Sequence, residues 1–294
     1  MTTRKRKKLL LPNSESPEDQ TDGKAVKRQI QCRPDSSSQV VHQSVGKDES
    51  LSPYFSTRDA VRLDYSFFNQ PCVQLAKAFL GKVLVRKLTN GTELRGRVVE
   101  TEAYLGGEDK ASHSAGGKRT ERNAAMFMKP GTIYVYTIYG IYLCMNVSSR
   151  GEGAAVLLRS LEPLSGQDVM RGLRAAKRRE GAKTLKDKEL CNGPSKLCQA
   201  LDIQRCFDRR DLATDMELWF ETDQGDTIHA GEVVSAPRIG VESHGEWATK
   251  PLRFYLRGHP CVSVLNRDVE RQMSTQSCTD FSILGPHIME KRLV

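Results

Sequence analysis

Residues 96–146 concentrate the side chains of this sequence that could do chemistry. Glu100 and Glu102 stand two apart in Arg97-Val98-Val99-Glu100-Thr101-Glu102-Ala103-Tyr104, a run whose β-branched, period-two character predicts a strand. Residues two apart share a strand face, so Glu100, Glu102 and Tyr104 are expected side by side. Burying charge is expensive unless something uses it, and a carboxylate in a dry pocket can accept a proton from water. The competing reading for Glu102 is a structural ion pair with Arg159, and one arginine could serve both ends. Arg159 is itself out of place in the middle of a predicted strand at 154–161, because a buried arginine needs an anionic partner. That partner is a glutamate, a bound phosphate or solvent at the sheet edge.

The same stretch holds five tyrosines and His113. Tyr104, Tyr136 and His113 offer flat faces that could sandwich a planar ligand, as proteins do with a base extruded from a duplex; the alternative is ordinary core packing. Tyr139-Gly140 sits midway along an apolar, tyrosine-rich run at 132–147, which therefore reads as two strands joined by a tight turn in which glycine supplies positive φ. Tyr134 and Tyr136 then face one way, and Tyr139 at the tip could wedge between base pairs.

The elements that must position these residues follow from the flanking patterns. A helix is predicted from the Asn69-Gln70-Pro71 start to Gly81, then strands at 83–88 and 93–104 joined through Asn90-Gly91. The long polar stretch at 105–130, with five glycine or proline residues, is of a length expected to be functional or mobile. A basic helix is predicted at 168–179, with Met170, Leu173 and Ala176 inward and its arginines and lysines outward. Ser195 reads as the N-cap of a further helix, and strands follow at 216–220, 228–234 and 252–256. No internal repeat breaks residues 54–267. The expectation is a mixed α+β fold: one domain with a curved antiparallel sheet, surrounding helices and a protruding β-hairpin. Its limits are 53–267, preceded by a disordered basic tail at 1–52 and followed by a weakly patterned tail at 268–294. The N-terminal tail has no aromatic residue after which a core could form, and Arg4-Lys5-Arg6-Lys7-Lys8 resembles a nuclear import signal or a DNA-tethering arm.

Bulk properties narrow the classes. A formal charge of +9 on 294 residues favours a polyanionic partner, nucleic acid before anionic membrane. No uninterrupted apolar run reaches the length of about 18 that a spanning helix needs, so a soluble, intracellular protein is expected. The eight cysteines are scattered and read as reduced core thiols, and Cys191, Cys198 and His229 lack zinc-site spacing. There is no Gly-x-Ser-x-Gly elbow, dinucleotide fingerprint, Walker motif or zinc-deaminase signature. A base-flipping enzyme fits best; a non-catalytic nucleic-acid binding module and an RNA-modifying enzyme remain as alternatives.

The runs Val99-Glu100-Thr101-Glu102-Ala103-Tyr104-Leu105-Gly106, His113-Ser114, Met128-Lys129-Pro130-Gly131-Thr132-Ile133-Tyr134-Val135-Tyr136, and Tyr139-Gly140 through Met145-Asn146-Val147 resemble the alkyladenine DNA glycosylase family. The resemblance covers about residues 55–266. It implies a monomeric, metal-free and cofactor-free enzyme, without lyase activity, that removes 3-methyladenine, 7-methylguanine, hypoxanthine and ethenoadenine from duplex DNA. It further implies that Glu102 activates the water that attacks C1′, with Arg159 holding that water and the backbone. Tyr104, His113 and Tyr136 become stacking walls, the His113 amide meets the base edge, Asn146 excludes the 2-amino group of guanine, and Leu157 closes another wall. Tyr139 is the inserted residue; Ile141 beside it stands where the human member has methionine, a departure at the DNA-facing hairpin. Nuclear, and also mitochondrial, residence and repair-protein partners for the tail would follow. For cationic lesions, stacking on electron-rich rings would add cation–π attraction; for neutral purines the sequence offers no obvious acid.

Overall fold

Glu93–Tyr104 (β2) is the strand to which most of the sheet attaches, and its burial changes character midway. Side chains alternate between half-buried and buried through Arg97, and from Val98 to Ala103 both faces are covered. Val83–Lys87 (β1) joins its first half through the Asn90-Gly91 turn, where Gly91 takes φ +87° and Asn90 Oδ1 accepts the Thr92 N–H at 3.0 Å. The second half, Glu100 to Glu102, pairs instead with Arg253–Leu256 (β8), while Ala155–Ser165 (β5) runs along the whole opposite edge. Register shifts on either side of Glu100 mark a bulge, a device that re-aims side chains and sharpens twist.

The computed structural model describes residues 61–222, 228 and 230–283, with side chains to residue 275. The predicted tail at 1–52 and its basic run lie outside the described residues. The sheet runs Ile133–Ile138 (β3), Tyr142–Ser148 (β4), β5, β2, β1, Leu218–Glu221 (β6), with Val233–Ala236 (β7) added on β8; every strand pairing is antiparallel. The short helices Tyr65–Phe68 (α1) and Cys72–Ala78 (α2) bring Phe68, Leu75 and Phe79 onto Phe220, forming the main core with Val98, Val156 and Leu158. Gln167–Ala175 (α3), Asp187–Leu190 (α4) and Pro194–Ala200 (α5) cover the β4–β5 side. The mixed α+β expectation, with its antiparallel sheet and flanking helices, is borne out, and no described helix is long and apolar enough to cross a membrane.

Several local expectations change. Pro71 rather than Asn69 takes the N-cap position of α2. Ser195 lies inside α5, because Pro194 occupies its first position and moves the cap to Gly193. In α3, Arg174 is buried and Ala176 exposed; the guanidinium turns inward to donate to the Glu189 and Leu190 carbonyls at the end of α4, which otherwise have no helical partner. The strand expected at 228–234 is confined to β7, after a 3-10 turn at Ala230–Glu232. Beyond Asn266, where the sequence pattern is weak, Arg267–Ile283 (α6) forms. Asn266 Oδ1 accepts the Val269 N–H at 3.2 Å, and Tyr255 donates its hydroxyl to Glu270 at 2.9 Å, so tertiary contacts rather than periodicity hold it.

The stretch at 105–130 is tied down along its length. Asp109 accepts the Leu105 and Ala111 N–H groups, both at 3.0 Å, and Asn123 donates to the His113 and Lys118 carbonyls, both at 2.9 Å. It departs from β2 at Gly106, where φ is +96° and a Cβ would meet the Glu152 carbonyl oxygen at 2.3 Å. Gly106→Ala is therefore expected to destabilise the domain by about 1–3 kcal/mol; a urea midpoint equal to that of the parent protein would contradict this.

Candidate active site

Four buried ionic side chains meet under the centre of the sheet. Arg159 on β5 donates from Nε to Glu100 Oε1 and from Nη1 to Glu102 Oε1, each at 3.1 Å. Arg253 on β8 donates from Nη1 to the same Glu100 oxygen at 2.9 Å and to the Val264 carbonyl at 2.7 Å. Glu100 Oε2 accepts the Ser263 N–H at 2.7 Å. Both glutamates are fully buried and both arginines nearly so, and the two positive charges balance the two negative ones. Burial by itself would lower the Arg159 pKa, but Glu102 and Glu100 together hold it above its ordinary value.

Glu102 and Arg159 are the members of this cluster that line a cavity. Glu102 Oε1 accepts from Arg159 and from the Ile239 N–H at 2.8 Å, and its Oε2 accepts the Tyr104 hydroxyl at 2.9 Å. An ionised carboxylate has about four acceptor positions, so Oε2 retains capacity for one further donor. Burial first, and the adjoining Glu102 second, raise the Tyr104 phenol well above its ordinary pKa, which keeps it a donor.

The cavity above measures about 340 Å³. Glu102, Arg159, Tyr104, His113, Tyr136, Asn146, Leu157 and Tyr139 all line it, so the structure brings together every sequence-predicted residue except Ile141. The strand registers explain the convergence: Leu157 lies opposite both Glu102 on β2 and Asn146 on β4. Asn146 donates from Nδ2 to the Tyr134 carbonyl at 3.2 Å, fixing its side chain at the wall. Tyr134 and Tyr136, two apart on β3, stack with ring centroids 5.4 Å apart, and the His113 ring stands edge-on to Tyr136 at 4.6 Å.

His113 is fixed from behind. Burial pushes the Tyr134 phenol up to about 12, and its hydroxyl shares a hydrogen bond of 2.9 Å with His113 Nδ1. Burial, then the charge of Arg122, lower the His113 pKa from 6.5. The hairpin tip is the opposite case: Tyr139 is 84% and Ile141 71% exposed, with φ of +53° at Tyr139 and +74° at Gly140. Two large apolar side chains held out on a turn have no core to fill.

Sequence reasoning missed Arg253, Arg238, Asp109 and the Ile239 amide. Arg238 is fully buried and grips Asp109 with both Nη atoms, at 2.5 and 2.8 Å, joining the 105–130 stretch to the segment that orients Glu102. Arg253 opens its strand β8, so it lacked the mid-strand signal of Arg159. Val241 and His244 also line the cavity. Among the described residues no group of three His, Cys, Asp or Glu side chains could hold a metal ion.

The site is thus an aromatic-lined cavity over an oriented carboxylate, beside a hairpin with an exposed apolar tip. The methylpurine-DNA glycosylase family model matches residues 66–260. The chain is 60% identical over 223 residues to the DNA-3-methyladenine glycosylase of Homo sapiens, covering 75% of this chain and 74% of that protein. It is 58% identical over 228 residues to the Mus musculus enzyme of the same name, covering 76% and 68%. A probable DNA-3-methyladenine glycosylase of Encephalitozoon cuniculi is 50% identical over 198 residues, covering 67% and 90%. The chain belongs to the methylpurine-DNA glycosylase family and is a DNA glycosylase.

Because the unfolded His113 binds its proton at higher pH than the folded one, the stability linked to it is fully present above about pH 6.5 and is lost as pH falls through the folded value. The urea midpoint of the parent protein relative to His113→Gln is expected to drop between pH 7 and pH 5; a pH-independent difference would contradict the depressed value.

Proposed function

We propose that this chain is a monofunctional glycosylase that flips damaged purines out of duplex DNA and hydrolyses their N-glycosidic bond, leaving an abasic site. The observation that carries this reading is the Glu102 carboxylate, fully buried, fixed by three donors and lining an aromatic cavity of about 340 Å³. Cleaving the bond builds positive charge on the sugar. A carboxylate held in place stabilises that charge without reorganising, and accepts a proton from the water that attacks C1′. Arg159, bonded to Glu102, orients the carboxylate and helps hold that water.

The walls choose the substrate. Tyr104 on one side and His113 with Tyr136 on the other stack the extruded base; Asn146 and Leu157 close the floor, where Asn146 leaves no room for the 2-amino group of guanine. Tyr139 fills the gap in the duplex, with Ile141 beside it. The substrates are 3-methyladenine, 7-methylguanine, hypoxanthine and ethenoadenine. The protein works as a monomer in the nucleus, where the basic run at 4–8 directs it, with a further share in mitochondria; the tail at 1–52 contacts other repair proteins, and the catalytic domain is 53–267. A non-catalytic binding module would have needed only the Glu102–Arg159 pair and Tyr139, so the cavity over that pair favours the enzyme.

Glu102→Gln should slow single-turnover release of hypoxanthine from duplex DNA by roughly a hundred- to ten-thousandfold while duplex binding survives; retained excision would move the role elsewhere. None of the donors to Glu102 is a lysine, although Lys110 also lines the cavity, so the product duplex should break only after alkali, and spontaneous nicking would contradict a purely hydrolytic reaction. Matched RNA should not release hypoxanthine; equal release from RNA would favour an RNA-modifying enzyme.

A further inference from the structure

Two arginines that take no part in holding Glu102 stand over the tyrosine walls. The Arg238 guanidinium carbon lies 4.5 Å from the centre of the Tyr104 ring, and that of Arg122 lies 5.5 Å from the centre of the Tyr136 ring. Both distances fall within the range of about 6 Å in which a cation and a ring attract. Neither arginine lines the cavity, whereas both tyrosines do. Arg238 is buried against Tyr104 from the protein side, so the guanidinium covers the ring surface that the cavity does not use.

The charge on Arg238 is balanced by Asp109, but the geometry of the pair matters. Asp109 engages the two Nη atoms, and Nη1 also donates to the Ala103 carbonyl at 2.9 Å. These bonds lie at the edge of the planar fork, which leaves its face against the ring. Tyr104 therefore meets the positive part of the pair. Arg122 is exposed and donates from Nη2 to the Thr137 carbonyl at 3.2 Å, which holds it beside Tyr136.

A ring attracts a cation through the negative potential of its face, and a guanidinium on one side drains that potential from the other. A cationic purine entering the cavity would meet rings already engaged by a like charge. A neutral purine keeps its dispersion and stacking contacts and suffers no such repulsion. Resting on the glycosylase reading above, we infer that Arg238 and Arg122 are specificity-determining residues that bias the pocket toward neutral purines, such as hypoxanthine, and against cationic ones, such as 7-methylguanine. This reverses the simple expectation that the tyrosine walls reward positive charge.

The test is made on binding, free of the chemical step, with full-length protein carrying Glu102→Gln. Dissociation constants are measured for three otherwise identical duplexes: undamaged, hypoxanthine-containing and 7-methylguanine-containing. Two further proteins in the same background remove a backing charge: Arg122→Gln, at an exposed side chain that donates to the Thr137 carbonyl and whose charge also acts on His113, and Asp109→Leu with Arg238→Met, which replaces the buried pair by apolar side chains of similar bulk. Loss of a backing charge is expected to shift the ratio of 7-methylguanine to hypoxanthine affinity by roughly three- to tenfold toward 7-methylguanine. Affinities for all three duplexes that fall in step, or a ratio that does not move, would show that the arginines only anchor backbone or DNA, and would overturn the inference. Should the paired variant fail to fold, Arg122→Gln alone decides between these outcomes. If the Glu102→Gln parent binds neither damaged duplex better than the undamaged one, the glycosylase reading of the cavity fails instead.

Discussion

The structure depends on a neutral knot of buried charge. Removing a carboxylate or a guanidinium from water costs several kcal/mol even after the protein relaxes, and only close, well-directed partners offset it. Glu100 solves this by taking two arginines and a backbone amide, and Glu102 by taking one arginine, a backbone amide and a phenol. The donors come from β2, β5, β8 and the segments following β7 and β8, so the knot forms only once β2, β5 and β8 have come together. Glu100 is the structural partner: it absorbs Arg253 and one edge of Arg159. Glu102 is left at the edge of the same network, fixed by its three donors and lining the cavity.

That division of labour sets the chemistry. A carboxylate that must reorient when charge develops spends binding energy on the movement; one already fixed does not. The walls complete the arrangement with side chains that stay uncharged. Burial raises the Tyr134, Tyr136 and Tyr104 phenols, and burial with Arg122 lowers His113. The cavity therefore presents neutral aromatic walls above the Glu102–Arg159 pair, while the exposed Tyr139 and Ile141 occupy a hairpin that projects its apolar tip outward.

Much of this was legible in the sequence because its signals are local. The two strands of the 132–147 run and the glycine between them, the Asn90-Gly91 turn and the period-two start of β2 each need only a few neighbouring residues to specify. Arg159 stood out because an arginine in an apolar strand demands explanation, and its two glutamate partners answer it. What stayed hidden was non-local. The Ile239 amide reaches Glu102 across 137 positions, and Arg238 reaches Asp109 across 129; a backbone N–H has no residue-type signature at all. Arg174 was misplaced for the same reason, since the carbonyls it serves belong to α4, a helix whose position only the folded chain defines. Ser195 was a different error, a cap preference overridden by the proline preceding it.

The decisive relation is where the reacting sugar sits relative to Glu102. The direct measurement is a crystal structure of the protein with a duplex carrying a hypoxanthine nucleotide whose 2′-fluoro group blocks cleavage. Glu102 acting as the base predicts an extruded base between Tyr104 and the His113–Tyr136 wall, with a water that touches Glu102 Oε2 and lies within about 3.5 Å of C1′, the spacing of a near-attack arrangement. A base left stacked in the duplex, or a sugar carbon turned away from that carboxylate with the aromatic cavity unfilled, would contradict it.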